Sequence, residues 1–98
     1  MNEKLKSESM DMLFKAVLEL KTIEECYAFF DDICTIHELQ SLAQRLEVAF
    51  MLCDGKTYTE IGELTGASTA TVSRVNRSLN YGSDGYKMVL DRLKNNKE

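Results

Sequence analysis

The stretch from Lys56 to Asn80, KTYTEIGELTGASTATVSRVNRSLN, holds the side chains best suited to recognition chemistry. Thr69, Ala70, Thr71, Ser73, Arg74, Asn76 and Arg77 crowd its second half. Apart from the two arginines, these are short groups that can donate, accept, or touch a thymine methyl. On one face of a helix they suit the DNA major groove, where every base pair presents its own pattern of donors, acceptors and methyl groups. Thr69, Ala70, Thr71 and Ser73 are expected to meet base edges. Lys56, Arg77 and Asn80 are expected to meet phosphates, which position a protein without reading sequence.

Other reactive side chains form no comparable group. Cys26, Cys34 and Cys53 are odd in number, lack C-x-x-C spacing and have only His37 as a companion. No metal site and no cofactor are expected from them; they read as small hydrophobes in a reducing compartment, of the kind that is often buried. His37 lies near an expected helix start and reads as an exposed polar residue rather than a general base.

Two helices and a tight bend must position the recognition residues. Thr57, with Glu60 three residues on, has the spacing of a reciprocal N-terminal cap, and Ile61 and Leu64 are expected to be buried behind it. Thr65-Gly66-Ala67 makes the bend, with Gly66 supplying the left-handed backbone. Ser68 caps a second helix expected to reach Leu79. Val72, Val75 and Leu79 fall at i, i+3 and i+7 and should face inward, while Gly62 is small where the two helices are expected to cross. The pattern predicts a helix-turn-helix: the first helix braces across the backbone and the second enters the groove.

The rest of the chain supplies support. Met10, Leu13, Phe14, Val17 and Leu18 make one apolar stripe of a helix expected from about Glu8 to Leu20. Thr22 with Glu25 opens a second, striped by Ile23, Cys26, Tyr27, Phe30 and Ile33. Thr35 with Glu38 opens a third, which runs to Cys53 and stops at Asp54-Gly55. In that helix Val48 to Cys53 is apolar on every side, so it must be covered all round; a second subunit is the expected cover, the alternative being a central helix wrapped by its own neighbours. A last helix from about Ser83 to Lys94 packs through Tyr86, Val89, Leu90 and Leu93, with Asn95 to Glu98 expected to fray.

Composition sets the limits. Ninety-eight residues with no Pro and five Gly predict one all-α domain rather than a turn-rich β fold. The polar opening MNEKLKSESM predicts no signal peptide. The longest apolar run, Val48 to Cys53, is too short for a membrane span, so a cytoplasmic, nucleoid-associated protein is expected. The net charge is −4, yet it is unevenly spread. Residues 1–54 hold five Lys/Arg against eleven Asp/Glu, and residues 55–98 hold seven against five. Only the second part is expected to face an anion.

From Thr35 to Leu93 the chain resembles the tryptophan-repressor superfamily, and GASTATVSRVNRSLNYGSDGYK is similar to its YerC/YecD branch. The resemblance implies a six-helix, intertwined homodimer with a helix-turn-helix DNA-binding head. Residues 1–54 would then be dimerisation helices, 55–80 the head, and 81–98 a C-terminal dimerisation helix. It implies a regulator, expected to be a repressor, that binds a palindromic operator in double-stranded DNA. Thr35, Arg45, Arg74 and Ser78 match the family's corepressor-holding positions. Val75, however, stands where the repressor proper has a glycine that leaves room for the indole ring. Overfilling such a site costs roughly 1–3 kcal/mol, so L-tryptophan is not the expected corepressor, and no other effector is indicated.

Two other functions fit parts of the sequence. The head, Gly55 to Asn80, sets Lys56, Arg74 and Arg77 against Glu60 and Glu63. So weak a surplus suits a dimeric interaction module that keeps the fold without binding DNA. Arg45, Arg74 and Glu47 could also hold a dicarboxylate, as in small all-α chorismate mutases, but no acid–base pair accompanies them. A protein that is not an enzyme is expected.

Overall fold

Hydroxyl groups start five of the six helices. Ser7, Thr22, Thr35, Thr57 and Ser68 each accept the backbone N–H three residues on, at 3.0–3.2 Å. Each capped donor is one that a helix start otherwise leaves without a partner. Residues 3–96 are described in the computed structural model of the chain. They form a 3-10 turn, Glu3–Leu5, then α1 (Glu8–Leu18), α2 (Ile23–Ile33), α3 (Ile36–Cys53), α4 (Tyr58–Thr65), α5 (Thr69–Tyr81) and α6 (Gly85–Asn95). No strand occurs among them. None of these helices is long and apolar enough to cross a membrane.

The expected boundaries shift by one or two residues, each with a local cause. The last turn of α1 tightens, with Glu19 and Leu20 donating to Ala16 and Val17, so the helix ends at Leu18 and not Leu20. At α2 the reciprocal carboxylate of Glu25 accepts from Lys21 at 2.8 Å rather than from Thr22 itself. Helix α5 runs to Tyr81, two residues past Leu79, and Gly82 closes it by donating to Ser78 at 2.9 Å. Helix α6 begins at Gly85 rather than Ser83 because Asp84 sits in the left-handed region, at φ 64°, and gives no side-chain cap. Asn95 closes α6, and the Asn96 N–H bonds back to Arg92. Lys97 and Glu98, also expected to fray, lie outside the described residues, as do Met1 and Asn2 of the opening segment.

The chain divides into two units, Met1–Leu39 and Gln40–Glu98, with the boundary inside α3. In the first unit neither α1 nor α2 contains a buried residue. The second unit holds a core of Val48, Ala49, Ile61, Ala67, Val72, Val75, Leu79 and Leu90, lined by Leu46, Met51, Leu52 and Tyr86. Helix α4 packs on α5, and α5 on α6.

Within the second unit the apolar end of α3 is only partly covered. Val48 and Ala49 are buried, Met51 and Leu52 are half-buried, and Phe50 is 40% exposed. Along α6, Leu90 is buried and Tyr86 half-buried, whereas Val89 and Leu93 stay exposed. A stripe that was expected to pack is therefore half open.

Candidate nucleic-acid interface

The bend between α4 and α5 is held by a single threonine. The Thr65 hydroxyl donates to the Ile61 carbonyl at 2.7 Å and accepts from the Ala67 N–H at 3.1 Å. Its own carbonyl accepts from the side-chain amide of Gln44 on α3, at 3.2 Å. Gly66 follows at φ 74°, with its N–H donating to Gly62. This is the left-handed turn that the sequence predicts, and Gln44 ties it to α3.

Two residues of α4 differ from expectation. Leu64 is not buried but 63% exposed, because the core side of this short helix is filled by Ile61. Gly62 is not pressed by α5. An added Cβ there would meet the Ala67 carbonyl oxygen at 3.6 Å, an ordinary contact.

Helix α5 has two distinct faces. Val72, Val75 and Leu79 are buried, as their spacing predicts. At about 100° per residue, Ala70, Arg77 and Tyr81 line the opposite side, flanked by Ser73 and Arg74. Thr69, Ala70, Arg74, Arg77, Ser78 and Asn80 are exposed, while Thr71, Ser73 and Asn76 are half-buried. Lys56 is exposed just before the head begins.

Hydrogen bonds already engage some of these groups. The Ser68 hydroxyl donates to the Thr71 hydroxyl oxygen at 3.1 Å while accepting from the Thr71 N–H. The Asn80 amide donates to the backbone and side-chain oxygens of Asn76, at 2.9 and 3.3 Å. The Asn80 amide thus leans on its own helix and would have to turn from Asn76 to meet a phosphate. Arg74 and Arg77 make no ion pair or hydrogen bond among the described residues, so their guanidinium groups keep every donor for a ligand.

Electrostatics temper the positive charge. The Glu60 carboxylate accepts from the Thr57 N–H at 2.9 Å. That bond, then the Thr57 hydroxyl, with a smaller contribution from Lys56, holds its pKa below the usual glutamate value. Glu60 therefore stays anionic beside Lys56, and the arginines of α5 carry most of the head's attraction for an anion.

Sequence reading missed Tyr81. Its ring is 87% exposed, four residues past Arg77 and seven past Arg74 on the same face. That spacing was the signal, but an aromatic residue at a helix end reads first as packing.

The four effector-position residues are placed in different settings. Thr35 lies in the first unit, where both its N–H and its hydroxyl donate to Glu38, at 2.8 and 3.1 Å. Arg45 on α3 is half-buried, and it makes no ion pair with Glu47. Arg74 and Ser78 are exposed on α5. Val75, between these two in sequence, is 2% exposed and belongs to the core with Val48, Ile61 and Val72.

Residues 8–94 match the family model for the Trp repressor protein. The chain is 63% identical over 92 residues to the uncharacterized YerC protein of Bacillus subtilis (strain 168), covering 94% of this chain and 88% of that one. Two solved structures are similar throughout. A TrpR-like protein from Eubacterium eligens superimposes with a TM-score of 0.92 at 57% identity, over 99% of this chain and all of the other. A candidate Trp repressor from Staphylococcus aureus gives 0.91 at 56% identity, over 94% of this chain and 92% of its own.

Proposed function

The chain belongs to the Trp repressor family, in its YerC-like branch, and we propose that it is a sequence-specific DNA-binding regulator of transcription, acting as a homodimeric repressor in the cytoplasm, on the nucleoid. The observation that carries this reading is the division of α5. One face is buried against the head's core, and the other offers short polar groups and two uncommitted arginines. A helix supported in this way on a second helix is the arrangement that lays side chains into a major groove. Thr69, Ala70, Thr71 and Ser73 are the proposed base contacts; Lys56, Arg77 and Asn80 are the proposed phosphate contacts.

The homodimer has its own support. Leu18, Ile23, Tyr27 and Ile36 are among the most exposed apolar residues of the chain. So many apolar side chains facing water on one small protein mark an interaction surface. A dimer doubles the cations of the head and asks for two half-sites about one helical turn, roughly 34 Å, apart.

L-tryptophan is not the effector on this reading. Val75 is buried in the core, and by the family resemblance it stands where the repressor proper has a glycine that leaves room for the indole. Thr35, Arg45, Arg74 and Ser78 remain the positions for any other small effector. Isothermal titration with L-tryptophan should give no binding heat, and a micromolar dissociation constant would overturn this part of the proposal.

The deciding experiment is chromatin immunoprecipitation in the native host, followed by binding to the enriched site at about 50 and 200 mM salt. A palindromic site should emerge. With Lys56 and Arg77 of both subunits each neutralising one phosphate, affinity for it should fall roughly a hundredfold across that range. A stable dimer that enriches no DNA would instead favour the interaction-module reading.

A further inference from the structure

We infer that the reading face of α5 recognises a half-site through thymine methyl groups, so that the operator is A·T-rich at the bases that α5 meets first. This rests on the DNA-binding reading above and goes beyond it by naming the base chemistry.

The argument runs from what α5 lacks at its leading end. Guanine is usually read by the paired donors of Arg or Lys, and adenine by the amide of Asn or Gln. Residues 68–73, STATVS, contain none of these. The small polar groups present are partly committed. The Ser68 proton is given to the Thr71 oxygen, and the Ser68 oxygen receives the Thr71 N–H. Thr71 and Ser73 are half-buried, whereas Thr69 and Ala70 are exposed. The leading end therefore offers solvent chiefly two methyl groups and one hydroxyl.

In the major groove the apolar feature is the C5 methyl of thymine, and Thr and Ala methyls are its natural contacts. Arg74 and Arg77 follow one and two turns later, exposed and unpaired. They are placed to anchor the backbone beside the methyl contacts. The face thus has an apolar reading end and a cationic anchoring end.

Replacing thymine by deoxyuridine removes only the methyl group and keeps the hydrogen-bonding pattern. Sites enriched by in vitro selection with the full chain would be resynthesised with one thymine at a time changed, and affinity read by fluorescence anisotropy. At least one change per half-site should weaken binding about three- to fourfold, the worth of one buried methyl. That penalty should disappear in Thr69→Ser or Ala70→Ser, while the penalties of unrelated base changes persist. Both substitutions lie on exposed positions, and circular dichroism would check that the helices are intact. Indifference to every methyl, or a guanine preference lost in Arg74→Ala, would overturn this inference and leave the regulator intact. Failure to enrich any sequence would overturn both.

Discussion

The helices before α3 and the helices after it obey the same local rules and reach opposite results. Both regions cap helices with Ser or Thr, α6 excepted, and both carry clear apolar stripes. Yet α1 and α2 bury no residue, while α4, α5 and α6 share with the end of α3 a core in which Ile61 and Val48 are fully enclosed. Leu18, on α1, is 81% exposed. A cap and a stripe make a helix; they do not supply something for the stripe to lie against. The helices after α3 have that partner within their own unit; on the proposed dimer, α1 and α2 would find theirs on a second subunit.

Substitutions can break this contrast. Ile61→Ala opens a cavity in the head and should cost about 2–5 kcal/mol in urea denaturation. A loss below 1 kcal/mol would mean that the head's core is not the anchor described here. Leu18→Ser tests the other side. If α1 and α2 are covered by a second subunit, it should cost about 1.5–3 kcal/mol and shift sedimentation from dimer toward monomer. An unchanged sedimentation profile and midpoint would show that the stripe of α1 stays wet.

Two glycines of the second unit sharpen the comparison at smaller scale. At Gly82 an added Cβ would collide with the Ser78 carbonyl oxygen, so Gly82→Ala should cost about 1–3 kcal/mol, as overpacking does. Gly62→Ala should instead stabilise by about 0.5–1 kcal/mol, because Gly62 lies inside α4 with room for a methyl. Equal effects in thermal melts would mean that space around these glycines does not decide their identity.

The smallest effect concerns the caps of α3 and α4. Glu38 and Glu60 are each held below 4.5, first by the backbone N–H of their cap and then by its hydroxyl. A depressed carboxylate contributes stability that is fully present above 4.5 and is lost as pH falls through the lowered value. Glu38→Gln and Glu60→Gln should therefore lower stability slightly at neutral pH, leave it unchanged in acid, and so flatten the acid limb of the stability profile. A steeper acid limb in either variant would contradict the cap geometry.

Much of the head was legible in the sequence. The left-handed Gly66, the caps at Thr57 and Ser68, and the buried Ile61, Val72, Val75 and Leu79 follow from spacing and residue type alone. The exposure of Leu64, Val89 and Leu93 does not, since a stripe shows which side is apolar and not what covers it. The bond from Gln44 to Thr65 spans twenty-one residues and leaves no local trace. The left-handed Asp84 is hidden as well, because an aspartate there looks like any helix cap. Among the proposed contacts, the choice of α5 was readable. That Asn80 spends its amide on Asn76, and that Tyr81 stands open to solvent, needed the side chains in place.

The bond from Gln44 to the turn gives α3 a say in how the reading helix is carried. A change at Gln44 would remove that tie while touching none of the residues proposed to face a base. Selection on the geometry of a binding site and selection on its letters would then have separate residues to work through. A lineage could keep its vocabulary and change its stride.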